Sequence, residues 1–392
     1  MSFAVIRLTE RVPRIVCLRR TDADHLLAEH RGHVEIVPHG ERGTYRLTAR
    51  GFVGVIPTPH RRLVLRPKLP AVNVFHLLDP FAPMPAFVDR STPIDGTRIL
   101  DVLAARLAVL LRDRATAGLR HHYAERADVT AALLGRLDLA AQLRADSARR
   151  DRLHCRYDEF TADVPCNRLP KAVAERLLDR ADLSAVVKAN LRNGLAAWAD
   201  VESVPLTAEL YAAQAPPQVS SGYVSLLDLC RLLVDGLQSG DAVGARAGPA
   251  FLLDMERVFE RYVTVGIDRH LTDCTPQPLV RVSPPRLGQP DFRVRPDVLI
   301  GPPGRPRLVL DVKWKRLSRA ALTGEDVYQV LAHAAVLGAP RAVLVYPGRH
   351  NRRWRYPTAG GPTLDVVTLR IVGDRPACER SMRRLARWLR KV

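Results

Sequence analysis

From Met1 to Leu18 apolar and charged residues alternate, and residues 51–56 and 62–65 are short β-branched or apolar runs split by Pro57, Thr58 and Pro59. Such runs, broken by turn residues, predict strands joined as a hairpin with a longer loop. Pro67 and Pro70 close the second strand, because proline cannot donate to a strand ladder. Residues 1–90 therefore read as β-rich. The period then changes. Ile99, Leu100, Leu103, Leu107, Leu110 and Leu111 recur at helical spacing. A second helix is expected after Asn167, whose side chain can cap its first turn, and a third over about 226–237. Residues 91–245 thus read as mainly helical, and the small residues 240–249 mark a boundary.

Residues 246–392 change character again. A long helix is expected over about 249–271, then a Pro-rich stretch from Pro276 to Pro290. Two strands follow, 297–300 and 307–312, joined by Gly301-Pro302-Pro303-Gly304, then a helix over 325–337 and a strand over 342–346. The order helix, strand, strand, helix, strand suits a mixed sheet with flanking helices. Met382, Leu385 and Leu389 make the basic tail from Arg380 to Lys391 one face of a last helix. The expected fold class is α+β, or mixed α/β, with no internal repeat and no low-complexity segment.

Composition narrows the function. The chain has 392 residues, 47% of them hydrophobic, which is too long for one core and implies two or three domains. It carries 60 Lys and Arg against 41 Asp and Glu, a formal charge of +19. Such an excess attracts polyanions, and nucleic acid is the favoured partner, with an acidic protein or general stickiness as the alternatives. The six cysteines form no CxxC pair, so a zinc ribbon is not expected. Scattered cysteines without a secretory signal point to a reducing cytoplasm. No run approaches the roughly 20 apolar residues of a membrane helix.

The chemistry lies in Arg295-Pro296-Asp297 and Leu308-Val309-Leu310-Asp311-Val312-Lys313. A hairpin can bring both carboxylates to one sheet edge, where they would bind Mg²⁺, or Mn²⁺, through oxygen. The backbone carbonyl of Val312 could supply a third oxygen. Asp311 and Lys313, two residues apart on a strand, point the same way, so Lys313 can help activate a water or stabilise a phosphate. The alternative is an exposed ion pair at a strand end, worth little. This pattern resembles the PD-(D/E)xK nuclease superfamily. In its RecB-like branch a glutamine on the following helix orients the site, and Gln329 fits; the tyrosine often found four residues later is His333 here, read as helix packing. Glu260 is a further candidate ligand for metal or water, or the partner of Arg257 or Arg261 in a helix-surface salt bridge.

Further segments resemble McrC, the nuclease subunit of the McrBC modification-dependent restriction system. They are Gly51-Phe52-Val53-Gly54-Val55-Ile56, Arg66-Pro67-Lys68-Leu69-Pro70, Gly135-Arg136-Leu137-Asp138, Asn167-Arg168-Leu169, Leu253-Asp254-Met255-Glu256 with Phe259-Glu260, and Tyr328-Gln329, in family order with the two nuclease motifs. The resemblance implies a nuclease domain over 246–392, with Asp297, Asp311 and Lys313 at the catalytic positions. It implies an McrB-like AAA+ hexamer as partner, fuelled by GTP or ATP, contacted through residues 1–245. It also implies DNA as substrate; self-association through the nuclease domain is a further expectation. Lys68 is a candidate for stimulating the motor, with an exposed turn residue as its alternative. The chain has no GxxxxGK[ST] loop and no helix-turn-helix or zinc-finger pattern, as suits a subunit that leaves energy and targeting to a partner. A non-cleaving activator of the motor and a nuclease of repair or RNA processing are the rival readings.

Overall fold

A computed structural model describes residues 4–69, 71–78, 96–144, 151–212, 221–238, 250–282, 291–302, 304–317, 322 and 324–392. The chain divides into two compact units, Met1–Ile99 with Asp235–Val392, and Leu100–Val234. The three consecutive regions expected from the sequence do not coincide with these units.

The N-terminal part of the first unit holds β1 (Ala4–Thr9), β2 (Arg14–Cys17), α1 (Arg20–Glu29), β3 (Val34–Pro38), β4 (Thr44–Ala49), β5 (Phe52–Pro57), β6 (Arg61–Arg66) and α2 (Ala71–Leu78). The expected hairpin is present: β5 and β6 pair antiparallel, with Gly54 opposite Leu65. Thr58 closes its turn, exchanging backbone and side-chain hydrogen bonds with Arg61. β1 adds to β6 in parallel, and β2 and β3 flank β4. Ile6, Leu8, Leu47, Ile56, Leu63 and Leu65 meet in one buried core, which accounts for the alternation along β1.

The second unit comprises most of α3 (Gly96–Thr116), then β7 (His122–Thr130), β8 (Arg136–Leu137), α4 (Leu139–Arg144), β9 (Leu153–Thr161), α5 (Pro165–Leu178), α6 (Ala185–Leu195), α7 (Ala208–Ala212) and most of α8 (Ser221–Gln238). Ile99, Leu100, Leu103, Leu107 and Leu111 of α3 are buried, as their spacing predicts. Helices predominate in this stretch, but it also holds a sheet that the sequence did not announce, in which β7 and β9 pair antiparallel along nine residues each. β7 is exposed along most of its length, so it leaves no apolar alternation to read. One expectation is corrected: Asn167 does not cap a helix. It lies buried inside α5, donating to the carbonyls of Arg120 (2.8 Å) and Ala162 (2.7 Å) and accepting from the Tyr223 hydroxyl (2.6 Å). The boundary at 240–249 lies outside the described residues.

The chain then returns to the first unit through β10 (Phe251–Asp254), α9 (Met255–Asp268), β11 (Cys274–Pro276), β12 (Val280–Arg281), β13 (Arg293–Val294), β14 (Val298–Ile300), β15 (Leu308–Val312), α10 (Gly324–Val336), β16 (Arg341–Gly348), β17 (Arg352–Tyr356), β18 (Thr363–Arg370) and α11 (Arg375–Lys391). The long helix expected from residue 249 is shorter, because residues 251–254 form a strand. β10 pairs antiparallel with β5, completing a sheet ordered β1-β6-β5-β10. Asp254 then caps α9, its Oδ1 accepting from the Glu256 amide at 2.9 Å. A six-stranded sheet follows, ordered β11-β14-β15-β16-β18-β17, with β15, β16 and β18 mutually parallel. α10 lays Val330 and Ala334 against Val309, Leu344 and Val366, while α11 packs on β18 and α9. The fold is mixed α/β, and the predicted order of helix, two strands, helix and strand is present, with the short strands β11, β12 and β13 inserted after α9 and with β17 and β18 added at the end.

Candidate active site

The hairpin of β14 and β15 sets Val298 opposite Leu310, so Asp297 lies just before the last paired residue. Its Oδ2 accepts the Val312 amide at 2.6 Å. The carboxylate thereby takes a backbone donor at the end of the hairpin ladder and is anchored beside Asp311. β15 is buried at every residue. Apolar neighbours account for most of that burial, but Asp311 is buried too, at 1% exposure, and neither of its carboxylate oxygens has a hydrogen-bond partner. This excludes the exposed ion pair considered above.

One face of α10 reads out alternate residues at the carboxyl end of β15. His333 Nδ1 lies 3.5 Å from Asp311 Oδ1. Gln329 Oε1 accepts from Lys313 Nζ at 2.9 Å, and Lys313 Nζ stands 4.0 Å from Asp311 Oδ2. Asp326 Oδ1 accepts from Lys315 Nζ at 2.8 Å, and its Oδ2 from the Tyr346 hydroxyl at 3.0 Å. Positions 326, 329 and 333 share one helical face, while 311, 313 and 315 share one side of an extended segment. The match of the two periods puts Gln329 on Lys313. His333, expected only to pack, faces the carboxylate.

Glu260, on α9, is held by neither Arg257 nor Arg261 through any ion pair among the described residues. Its Oε1 accepts from the side-chain amide of Gln277. Gln277 also donates its backbone N–H to the Asp297 carbonyl (2.8 Å) and accepts from Arg295 (3.2 Å). Its backbone is left-handed at φ 43°, a strained conformation for a residue with a side chain. Gln277 thus ties Glu260 to Asp297. The sequence shows no sign of it beyond a glutamine between two prolines.

Burial, followed by the negative charges of Glu260 and Asp311, pushes the Asp297 carboxyl up to about 8. Buried like charges and two unpartnered oxygens on Asp311 are what a hard dication would relieve. Among the described residues no three His, Cys, Asp or Glu side chains form a ready cage. Asp297 and Asp311 therefore fit an ion such as Mg²⁺, which takes one or two carboxylates and fills its remaining positions from water and phosphate. The Val312 amide is used by Asp297, leaving its carbonyl as the candidate third oxygen.

Lys68 is not an exposed turn residue. Its side chain, 5% exposed, lies 3.6 Å from the fully buried Glu10 and 4.0 Å from the centre of the Trp314 ring. Its ammonium donates to the Trp314 carbonyl at 3.3 Å, and Trp314 Nε1 donates to Glu10 at 2.6 Å. Burial lowers the Lys68 pKa to about 8 and raises that of Glu10. Trp314 directly follows Lys313, so this trio joins the ends of β1 and β6 to the segment that carries Asp311 and Lys313.

Among the described residues no helix is long and apolar enough to cross a membrane. No curated protein matches the chain. Among solved structures it is similar to a chain of the half-complex from the tetradecameric assembly of Thermococcus gammatolerans McrB AAA+ hexamers with bound McrC. The TM-score is 0.55 at 15% identity, covering 98% of this chain and 100% of that one. A chain of the Thermococcus gammatolerans McrBC complex, solved by cryo-EM, is similar at TM-score 0.46 and 16% identity, over 68% of this chain and 88% of that one. The first likeness shows a shared fold. The model of the family described as McrBC 5-methylcytosine restriction system component matches residues 47–347, well over half of the sequence, and the chain belongs to that family.

Proposed function

We propose that this chain is an McrC-like endonuclease subunit of a modification-dependent restriction system, hydrolysing DNA phosphodiesters with Mg²⁺, or Mn²⁺, and stimulating an McrB-like AAA+ NTPase. The observation that carries the reading is the buried Asp311 carboxylate, unpartnered between Asp297 and a lysine that Gln329 holds in place. Bound there, the metal would supply Lewis-acid polarisation of a phosphoryl oxygen and a lowered pKa for water. The residues of the chain do the rest. Asp297 and Asp311 hold the ion, with the Val312 carbonyl beside them. The Val312 amide fixes Asp297, and Gln277 steadies Glu260 as an outer acceptor for water. Lys313 offers its ammonium to the developing charge on the phosphate, and Gln329 accepts one of its hydrogen bonds and so aims it.

The partner is supported by the family and by the second unit. Tyr123, Leu133, Leu139, Leu143 and Phe160 are exposed by 59–86% around the β7–β9–β8 sheet and α4. Isolated exposed apolar residues are ordinary; several carried by one small sheet and its flanking helix suit a protein contact. This supports motor contact within residues 1–245, as the sequence led us to expect, and narrows it to the second unit.

The test is plasmid nicking with the partner hexamer present. Asp311→Asn is expected to lower cleavage by on the order of 10²-fold or more, while phosphate release by the partner is stimulated as by the wild type. Undiminished cleavage removes Asp311 from the mechanism. Stimulation by a wild type that never nicks DNA identifies a non-cleaving activator.

A further inference from the structure

Beyond the carboxylates the carboxyl ends of the parallel strands β15 and β16 open into two adjoining clefts, of about 500 and 350 Å³, which share Lys68, Arg316 and Leu317. Ligands of parallel sheets sit outside these strand ends. Lys315 and Asp326, the last step of the α10 ladder, line the first cleft; Arg349 and Arg352 line the second.

The charge is unbalanced. The acids of the first cleft are already engaged: Glu10 by Lys68 and Trp314, Asp326 by Lys315 and Tyr346. Arg316, Arg349 and Arg352 are exposed, and among the described residues none has a carboxylate within salt-bridge distance. Elsewhere on the same sheet the arrangement is opposite, for Arg341 and Arg355 both hold the buried Asp365. Three unpaired guanidinium groups around a concave surface focus a positive field and favour an anion.

We propose that these clefts bind backbone phosphates of the nucleic-acid strand, adjacent to the phosphate that lies at Asp311 and Lys313. This rests on the nuclease reading above. The clefts begin where the catalytic ladder ends, so a ligand reaching from Asp311 past Lys315 to Arg349 and Arg352 must carry anionic groups in series. A phosphodiester chain has that form, and planar guanidinium groups suit its oxygens. Arg316 and Arg349 set which part of the strand lies over the carboxylates.

The experiment measures fluorescence anisotropy of a labelled duplex of about 30 base pairs with the full chain carrying Asp311→Asn. Added to it are either Arg316→Glu and Arg349→Glu or, as a control with equal charge change, Arg383→Glu and Arg387→Glu on α11. The cleft pair is expected to weaken binding at least about tenfold and to lower the log–log salt slope by about two, one per lost phosphate contact. The α11 pair, acting only through net charge, is expected to weaken it by less than about threefold. Milder Arg316→Gln and Arg349→Gln changes give the same order of effect if the fold is intact, as the melting temperature reports. Equal losses from both pairs overturn the assignment. So does unchanged DNA binding with lost stimulation of the partner hexamer, which would make the clefts a protein contact. If the cleft pair weakens binding by a chain whose wild type never cuts DNA, the clefts stand and the nuclease reading falls. Cleavage by a wild type whose binding ignores the cleft pair has the reverse meaning.

Discussion

Asp311 keeps a carboxylate almost wholly out of water with no donor on either oxygen, and Asp297 next to it is pushed up to about 8. An acid whose folded pKa exceeds its unfolded value holds a proton in the fold that it loses on unfolding. Without metal, stability should therefore fall as pH rises from about 4 to about 8. A cation bound only by the fold offsets this, so the rise in melting temperature on adding Mg²⁺ should be larger at pH 8 than at pH 5. Asp311→Asn should largely remove the Mg²⁺ shift, lessen the metal-free pH trend without abolishing it, since burial and Glu260 still act on Asp297, and leave the metal-free chain at least as stable. A Mg²⁺ shift of full size in that variant would place the ion elsewhere. Asp297, Asp311, Lys313 and Gln329 were legible in the sequence because short-range periods position them, along one strand and on the helix after it. Gln277, His333 and the Glu10–Lys68–Trp314 trio were not. Their meaning depends on contacts across tens to hundreds of residues, which no local pattern records.

At the scale of elements, β5 shows why a motif glycine is there. Gly54 has φ 155°, and a Cβ on it would stand 1.9 Å from the Phe251 carbonyl oxygen of β10. The obstacle is backbone and cannot swing aside, so Gly54→Ala should cost about 2–4 kcal/mol. Urea unfolding with an unchanged slope would measure it; a loss under about 0.5 kcal/mol would mean that β10 does not lie against β5. The sequence marks Gly54 as part of a family segment without saying what approaches it. The buried elements β15, α10 and β16 were legible because their apolar runs reflect real burial. The pair β7 and β9 was missed for the opposite reason: a strand exposed on most positions carries the composition of a polar helix or loop.

At the scale of the molecule, the first unit is discontinuous. A chain ended at residue 245 would lack β10, leaving β5 without its outer neighbour and Leu252 absent from the N-terminal core. Such a truncated chain is expected to bind a hydrophobic dye and to melt below the full-length protein, and a melting temperature equal to that of the full chain would show that the N-terminal sheet closes without β10. The formal charge of +19 also belongs to this scale. By itself it favours polyanions without choosing a place on the surface, and under the proposal above only the arrangement in the clefts gives that attraction a direction.

The split between Ile99 and Asp235 also sets an order of events at the ribosome. β5 is made early, yet its partner strand begins only at Phe251. At about 5–20 residues per second, the outer edge of β5 waits on the order of 10–40 s. During that interval it offers unpaired amides and carbonyls to any neighbouring nascent chain. The second unit, synthesised entirely within the gap, can fold first. Closure of the sheet beside Glu10 and Lys68 therefore waits for β10, and the packing of Trp314 against Lys68 and Glu10 waits for a segment made some sixty residues later still. Under the proposed reading, a chain not yet made as far as Gln329 has no assembled site and would not cut DNA.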